Sequence, residues 1–466
     1  MAKSNSQVIV DYTEGNIARQ LVTFAFPFML ANLLQQLYNV VDMVVVGQFC
    51  GSVGLSAVSI GGQAVQVVTS ICMGFSNGGQ VLVSQHVGAK DREGIGRVAS
   101  TMFGFICLLA LALSAVCIVF HRTFLEWLNT PPEAFEQAAR YMLICSFGYV
   151  FVSGYNGCCA LLRGAGDSRR PLIYIGVSSV INLIGDLILV AGLHMEAEGA
   201  ALATVFAQII ACIVAFRSVL NHRDEFCLSR GLRAFAIRRD KFGDLMKLGI
   251  PLAIQTSAIQ LSQLFVNSFV NSYGVAASAT MGVGRKIQQF CNIIVMGVRQ
   301  AASSMIGQNF GARRHDRIQK TVRTAILISL CSFAVFAALS LTIPKQIFSL
   351  FTTDPEVLEL APTFMAILVL AFLANAFMAG YNALPQGIGF ASFTMAIALL
   401  DGVVFRIGLS MLFGVVFDWG LTGLFLGNNL AIYATAIPAA IYYYSGAWKR
   451  RRVLVGKGGG SEDAGE

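Results

Sequence analysis

Apolar runs of about 20 residues recur along the chain between short polar or basic stretches. Each is long enough to cross about 30 Å of hydrocarbon as a helix. The pattern predicts about twelve spans, at 16–46, 53–84, 94–120, 135–162, 170–192, 198–220, 242–270, 276–308, 318–342, 357–384, 392–416 and 420–445. The expected fold class is therefore all-α, a polytopic membrane protein. Within the first span, Asn32, Gln35, Gln36, Tyr38, Asn39 and Asp42 recur at three- and four-residue steps, so a helix stacks most of them on one face. A carboxylate near the bilayer centre costs on the order of 2.5–3.5 kcal/mol on insertion scales, so Asp42 should face a cavity or a partner. Pro27, which lacks a helix donor, is a candidate hinge in the same span.

The chain repeats itself. "QHVGAKDREGIGRVAST" at Gln85 returns as "QNFGARRHDRIQKTVRT" at Gln308, an offset of 223 (308 − 85), and Pro132/Pro355 and Gly166/Gly389 share it. Six spans per half give both halves one orientation, so a pseudo-two-fold axis should run along the membrane normal. Two six-helix lobes related in this way form a transporter architecture with a cavity at the repeat interface. The expected division is an amino-terminal lobe at 1–220, a basic linker at 221–241, a carboxy-terminal lobe at 242–448 and a tail at 449–466. The linker carries Arg223, Arg230, Arg233, Arg238 and Arg239, and the tail turns Gly-rich and is expected to be disordered.

Composition agrees with a membrane: 56% of residues are hydrophobic and only 12% charged, against roughly 25% in soluble domains. The net charge of +8 sits in loops after even-numbered spans, such as Lys90 and Arg92, Arg163 and Arg170, or Arg313 and Arg314. That is the positive-inside pattern, which places both termini in the cytoplasm and argues against a nucleic-acid partner. The first fifteen residues are polar, and no cleavable signal is expected. The eleven cysteines form no CxxC pair, and the five histidines lie at span ends or in loops. Metal or haem chemistry and an enzyme's nucleophile cluster are therefore not expected.

The halves differ in their acids. At an offset of 224, Asn32, Gln36 and Asn39 correspond to Thr256, Gln260 and Gln263, while Asp42 corresponds to Val266. The fifth span adds Asn182 and Asp186, four apart on one face, with Ser178 a turn earlier; their counterparts at 223 are Phe405 and Leu409. Asp42, Asp186, Asn182 and the Thr204 hydroxyl could supply hard oxygen ligands to a small cation, and the two acids could instead share a proton. The plainer alternative is that these polar groups only hold helices together. Asp401 and Arg406, five apart, suit an ion pair better than a second coupling site, although they align poorly on one α-helical face. Arg285, Lys286 and Arg299 receive no role.

The stretches "QQLYNVVDMVVVG", "GAKDREGIGR", "GYNGCCALLRGAGDSRRP", "INLIGDLILV", "EGAALATVFAQ", "GQNFGARR" and "YYYSGAWKRRR" together resemble the multidrug and toxic compound extrusion (MATE) family over nearly the whole chain. The resemblance implies a twelve-helix antiporter of a bacterial cytoplasmic membrane. It would export organic, often cationic or aromatic, drugs or toxic metabolites in exchange for Na⁺ or H⁺, as a monomer in the lipid bilayer and without a cofactor. The family's amino-lobe cation site maps onto Asp42, Asn182, Asp186 and Thr204, which would be the metal ligands if the ion is Na⁺. Span seven offers Gln260, Gln263 and Asn267, and span ten Asn375 and Asn382, with no acid at mid-span, which resembles the DinF-like bacterial branch. Gln35, Gln36, Tyr38, Asn39, Gln260, Gln263 and Asn267 are the expected substrate-cavity residues. A flippase of lipid-linked substrates is the alternative, but it calls for an arginine-rich cavity.

Overall fold

A computed structural model describes residues 8–454 apart from 129, 230 and 272, and apart from the side chains of 232, 260, 261, 264, 267, 268, 271 and 275. The described residues are helical and contain no strand. In the first half lie α1 (Ile17–Gly88), α2 (Arg92–Trp127), α3 (Pro132–Gly164), α4 (Arg169–Asp186) and α5 (Glu196–Asn221). The second half holds α6 (Arg239–Asn271), α7 (Val275–Gly311), α8 (His315–Thr342), α9 (Pro344–Ser349), α10 (Pro355–Tyr381), α11 (Ala383–Gly387) and α12 (Ala391–Leu399). It closes with α13 (Gly408–Met411), α14 (Gly420–Leu430) and α15 (Tyr433–Ser445). Among the described residues, nine helical stretches are long and apolar enough to cross a membrane.

One of those nine is two crossings. A straight 72-residue α1 would run about 108 Å at 1.5 Å per residue, more than three times the hydrocarbon thickness. It breaks at Gly51, whose φ of 66° and ψ of −164° lie in a region open essentially to glycine alone. The segment leading into α1 and the far end of the hairpin meet the same residue: the Tyr12 amide donates to Gln308 Oε1 (2.9 Å), and Gly88 packs on the Gln308 carbonyl. The two spans expected at 16–46 and 53–84 are thus joined at one residue rather than by a loop. With α6 (33 residues) and α7 (37 residues), which have the length but carry more polar faces, the membrane crossings reach twelve.

Each lobe has a private core. One gathers Val45, Val46, Ala57 and Val58 around the Gly51 break with Met142 and Tyr149 of α3 and Ala200 of α5. Another gathers Val266, Met281, Phe348, Phe364 and Phe425. Two further cores draw on both halves, joining Phe75 and Leu82 to Leu248 and Leu252, and Leu21 and Phe24 to Val298 and Met305. These shared cores lie where the basic loops emerge, so the lobes are packed together at that end.

The packing there is two-fold symmetric. Ser84 touches Gly307, Gly88 lies on the Gln308 carbonyl, and Gly311 lies on the Gln85 carbonyl. A Cβ on Gly88 would stand 1.7 Å from that oxygen, so only glycine fits. Gln85 Nε2 donates to the Gly387 carbonyl (3.2 Å) and Gln308 Nε2 to that of Gly164 (3.5 Å). Every pair maps onto its mate at the offset of 223. The amide oxygens accept from segments that precede the first helix and follow the last, the Tyr12 amide on Gln308 and the Leu454 amide on Gln85 (3.1 Å).

The linker and the residues after α15 pack against the helices. Phe235 stacks on Phe216, and the Arg238 amide donates to Thr101 Oγ1 (3.1 Å). Trp448 is fully buried, and Arg451 lies 3.7 Å over the Phe390 ring. Arg230 and residues 455–466 fall outside the described residues.

Candidate ion-coupling site

Three helices bring the amino-lobe polar groups together. Asp42 comes from the first leg of α1, Asn182 and Asp186 from the last turn of α4, and Thr204 from α5. Asp186 stands where α4 widens into a π-helical turn, Leu187–Gly192, a distortion that often marks functional positions. Asn182 and Asp186 are buried, with 2% and 1% of their surface exposed.

The Asp42 and Asp186 carboxyls lie within hydrogen-bonding reach of each other. With its amide turned to satisfy both neighbours, Asn182 donates to Asp186 Oδ2 (2.8 Å) and accepts from the Thr204 hydroxyl (3.2 Å) and amide (3.1 Å). Tyr38 lies beside Asp42 and Thr204. One oxygen of each acid, Asp42 Oδ1 and Asp186 Oδ1, is buried without a partner among the described residues. Two facing carboxyls with free oxygens are chemically suited to hold a proton between them. If parted slightly, they and the Thr204 hydroxyl also fit a hard cation, while the Asn182 oxygen would first have to leave Thr204.

Other expected residues lie elsewhere. Ser178 bonds the Ala207 carbonyl (3.4 Å) instead of joining the acids. Gln35 and Asn39 are exposed and Gln36 is half-buried. Gln263 lines a separate cavity within the carboxy lobe. The side chains of Gln260 and Asn267 lie outside the described residues. Two neighbours escaped sequence reasoning: Tyr141 and Cys145 of α3 are buried beside Asp42. Their spacing of four is the only hint the chain offers, and apolar cores share it.

In the carboxy lobe the π-helix Leu400–Ile407 takes up one residue that α4 lacks, so the offset changes from 223 to 224 within it, before Arg406. Asn182 therefore corresponds to Arg406 and Asp186 to Ser410, replacing Phe405 and Leu409. The contacts agree: Asn182 with Thr204 is repeated as Arg406 with Asn428 (3.1 Å). The same π geometry, closing i to i+5, stacks Asp401 on Arg406 at 2.8 Å, a buried ion pair that an α-helix would align poorly.

The MatE family model matches this chain twice, at residues 27–188 and 251–412. The probable multidrug resistance protein YoeA of Bacillus subtilis is 26% identical over 449 residues, covering 95% of this chain and 96% of that protein. The multidrug export protein MepA of Staphylococcus haemolyticus is 26% identical over 397 residues, covering 84% and 86%. A solved structure described as the outward-facing conformation of a multidrug resistance MATE family transporter of the MOP superfamily superposes with a TM-score of 0.87. It is 20% identical and covers 95% of this chain and 98% of its own. With the family model matching each half, the chain belongs to the MatE family, multi-pass membrane transporters rather than enzymes.

Proposed function

We propose that this protein is an antiporter exporting organic, cationic or amphipathic aromatic compounds in exchange for H⁺ or Na⁺, with Asp42 and Asp186 as the coupling pair. The observation that carries this reading is the contact between two membrane-embedded carboxyls, each with a free buried oxygen. Such a pair is costly unless a proton or cation joins it. The names of YoeA and MepA support multidrug export, and the flippase alternative draws no support from them.

The lobes, 1–220 and 242–448, are joined at the basic end and keep separate cores at the other, an outward-facing state if both termini are cytoplasmic in a bacterial inner membrane. An ion entering from outside would bind the pair, bend α1 near Pro27 and release substrate held along Gln35, Gln36, Tyr38 and Asn39. One charge falling through 100 mV yields about 2.3 kcal/mol. That supports roughly 40-fold export of a neutral compound. Exchange of one ion for a monovalent cation moves no net charge, so the ion gradient itself must then drive export.

The test is efflux of a fluorescent cation from proteoliposomes under imposed H⁺ and Na⁺ gradients. Efflux should follow one of these gradients and fall at least tenfold in Asp42→Asn. Full efflux in a folded Asp42→Asn protein would remove the coupling role.

A further inference from the structure

The carboxy lobe encloses a polar cavity of about 160 Å³ between α6, α7, α10, the Leu400–Ile407 π-helix and α14. It is the pseudo-symmetric mate of the coupling site. At the offset of 224, Gln263 stands for Asn39, Arg406 for Asn182 and Asn428 for Thr204, while Val266 and Ser410 stand for the two acids. The polarity is thereby reversed, from two carboxyls in the amino lobe to guanidiniums in the carboxy lobe.

One guanidinium is already neutralised. Arg406 donates to Asp401 Oδ1 (2.8 Å) and Asn428 Oδ1 (3.1 Å), and Thr435 holds the other Asp401 oxygen (3.3 Å). Arg285 is not. Among the described residues it makes one hydrogen bond, to the Gln263 carbonyl (3.3 Å), and pairs with no carboxylate. A guanidinium carries five donors in a planar fork matched to a carboxylate. Asn375 Nδ2 and Arg406 Nε, both lining the cavity, are further buried donors without partners among the described residues, against one such acceptor there, Asn429 Oδ1. Phe364 and Met281 supply an apolar wall. The space compares with the about 150 Å³ that admits a benzene-sized ligand.

We propose that this cavity is a binding site for the carboxylate head of an aromatic acid or zwitterion, with Arg285 as its anchor and Asn375 as a second donor. It deepens the export reading, on which its physiological meaning rests, by adding organic carboxylates to the substrate class. Binding needs no gradient, so coupling can fail in vesicles while this site holds, and the reverse.

Labelled benzoate is the probe, with equilibrium dialysis of the full-length protein in nanodiscs in low-chloride buffer. Wild type should bind it saturably and exclude benzylamine as a competitor. Arg285→Gln should weaken binding at least tenfold, and Arg285→Lys should recover part of the loss. Asn375→Leu, which leaves the charge unchanged, should weaken it several-fold and keeps the test open if Arg285→Gln does not fold. Absence of saturable binding, equal affinity in folded Arg285→Gln, or displacement by chloride at concentrations equal to benzoate would overturn the proposal, the last by making this an inorganic-anion site.

Discussion

Asp42 is half-buried and Asp186 nearly sealed, yet each keeps an oxygen without a partner, and this inequality sets the roles proposed for them. Under the proposed coupling, Asp42, the more exposed of the two, would meet an incoming ion first and Asp186 would share it. Asp186→Asn should therefore reduce gradient-driven efflux about as far as Asp42→Asn. Thr204→Ala, which removes the hydroxyl but leaves the Thr204 amide on the Asn182 oxygen, should change the apparent ion affinity and leave maximal efflux within about threefold; full efflux in Asp186→Asn would show that the pair does not act as a unit. Asp401 is a different kind of acid, because Arg406 and Thr435 satisfy both its oxygens. Removing one partner of a buried pair costs about 3–5 kcal/mol, much of it from the orphaned charge. Asp401→Asn should lower the melting temperature in detergent, and adding Arg406→Gln should recover part of it. No recovery in the double variant would count against a structural pair.

At the scale of the element, two departures from the α-helix carry the architecture. Gly51 turns α1 back through the membrane in a backbone region costing other residues about 1–3 kcal/mol. Gly51→Ala should reduce the fraction recovered folded from membranes, read by size-exclusion profile, and an unchanged profile would contradict the assigned strain. The π-helix Leu400–Ile407 widens one turn so that residues five apart meet, converting Asp401 and Arg406 from poor neighbours into a direct pair. Pro27, buried in α1, leaves the helix one hydrogen bond short. If α1 bends there, Pro27→Ala should slow efflux several-fold while equilibrium dye binding stays within about twofold.

At the scale of the whole molecule, the two lobes meet through residues that are their own symmetry mates, so the closed basic end is one seam along the pseudo-two-fold axis. Gly88 and Gly311 let backbone rest on backbone, while Gln85 and Gln308 tie each lobe to the other and to the segments around Tyr12 and Leu454. Helix interfaces inside membranes rely on such small residues, because lipid offers no hydrophobic drive for association. Gly88→Val should pry the seam open. Amide exchange across 300–312 should quicken, and efflux should fall about tenfold without loss of folded protein. Exchange identical to wild type would mean that the seam does not hold the lobes together.

The membrane class, the number of crossings and the duplication were legible along the chain because they depend on length and composition. Thirty ångströms of hydrocarbon demand the same run of apolar residues whatever the tertiary arrangement. The intramembrane acids stood out for the same reason: their cost in lipid is set by their depth. Their sharing of one site was expected from their chemistry and from the family resemblance, but periodicity alone does not give it: Asp42 and Asp186 are 144 positions apart (186 − 42) and are brought together by the packing of α1 against α4. Nor does it give the reversed polarity of the carboxy lobe, since one residue absorbed into a π turn shifts the register by a single position and leaves the apolar pattern intact. Helix packing decided which polar groups became partners, because a contact between helices depends on their relative rotation, which side-chain interlock sets and one-dimensional periodicity does not record.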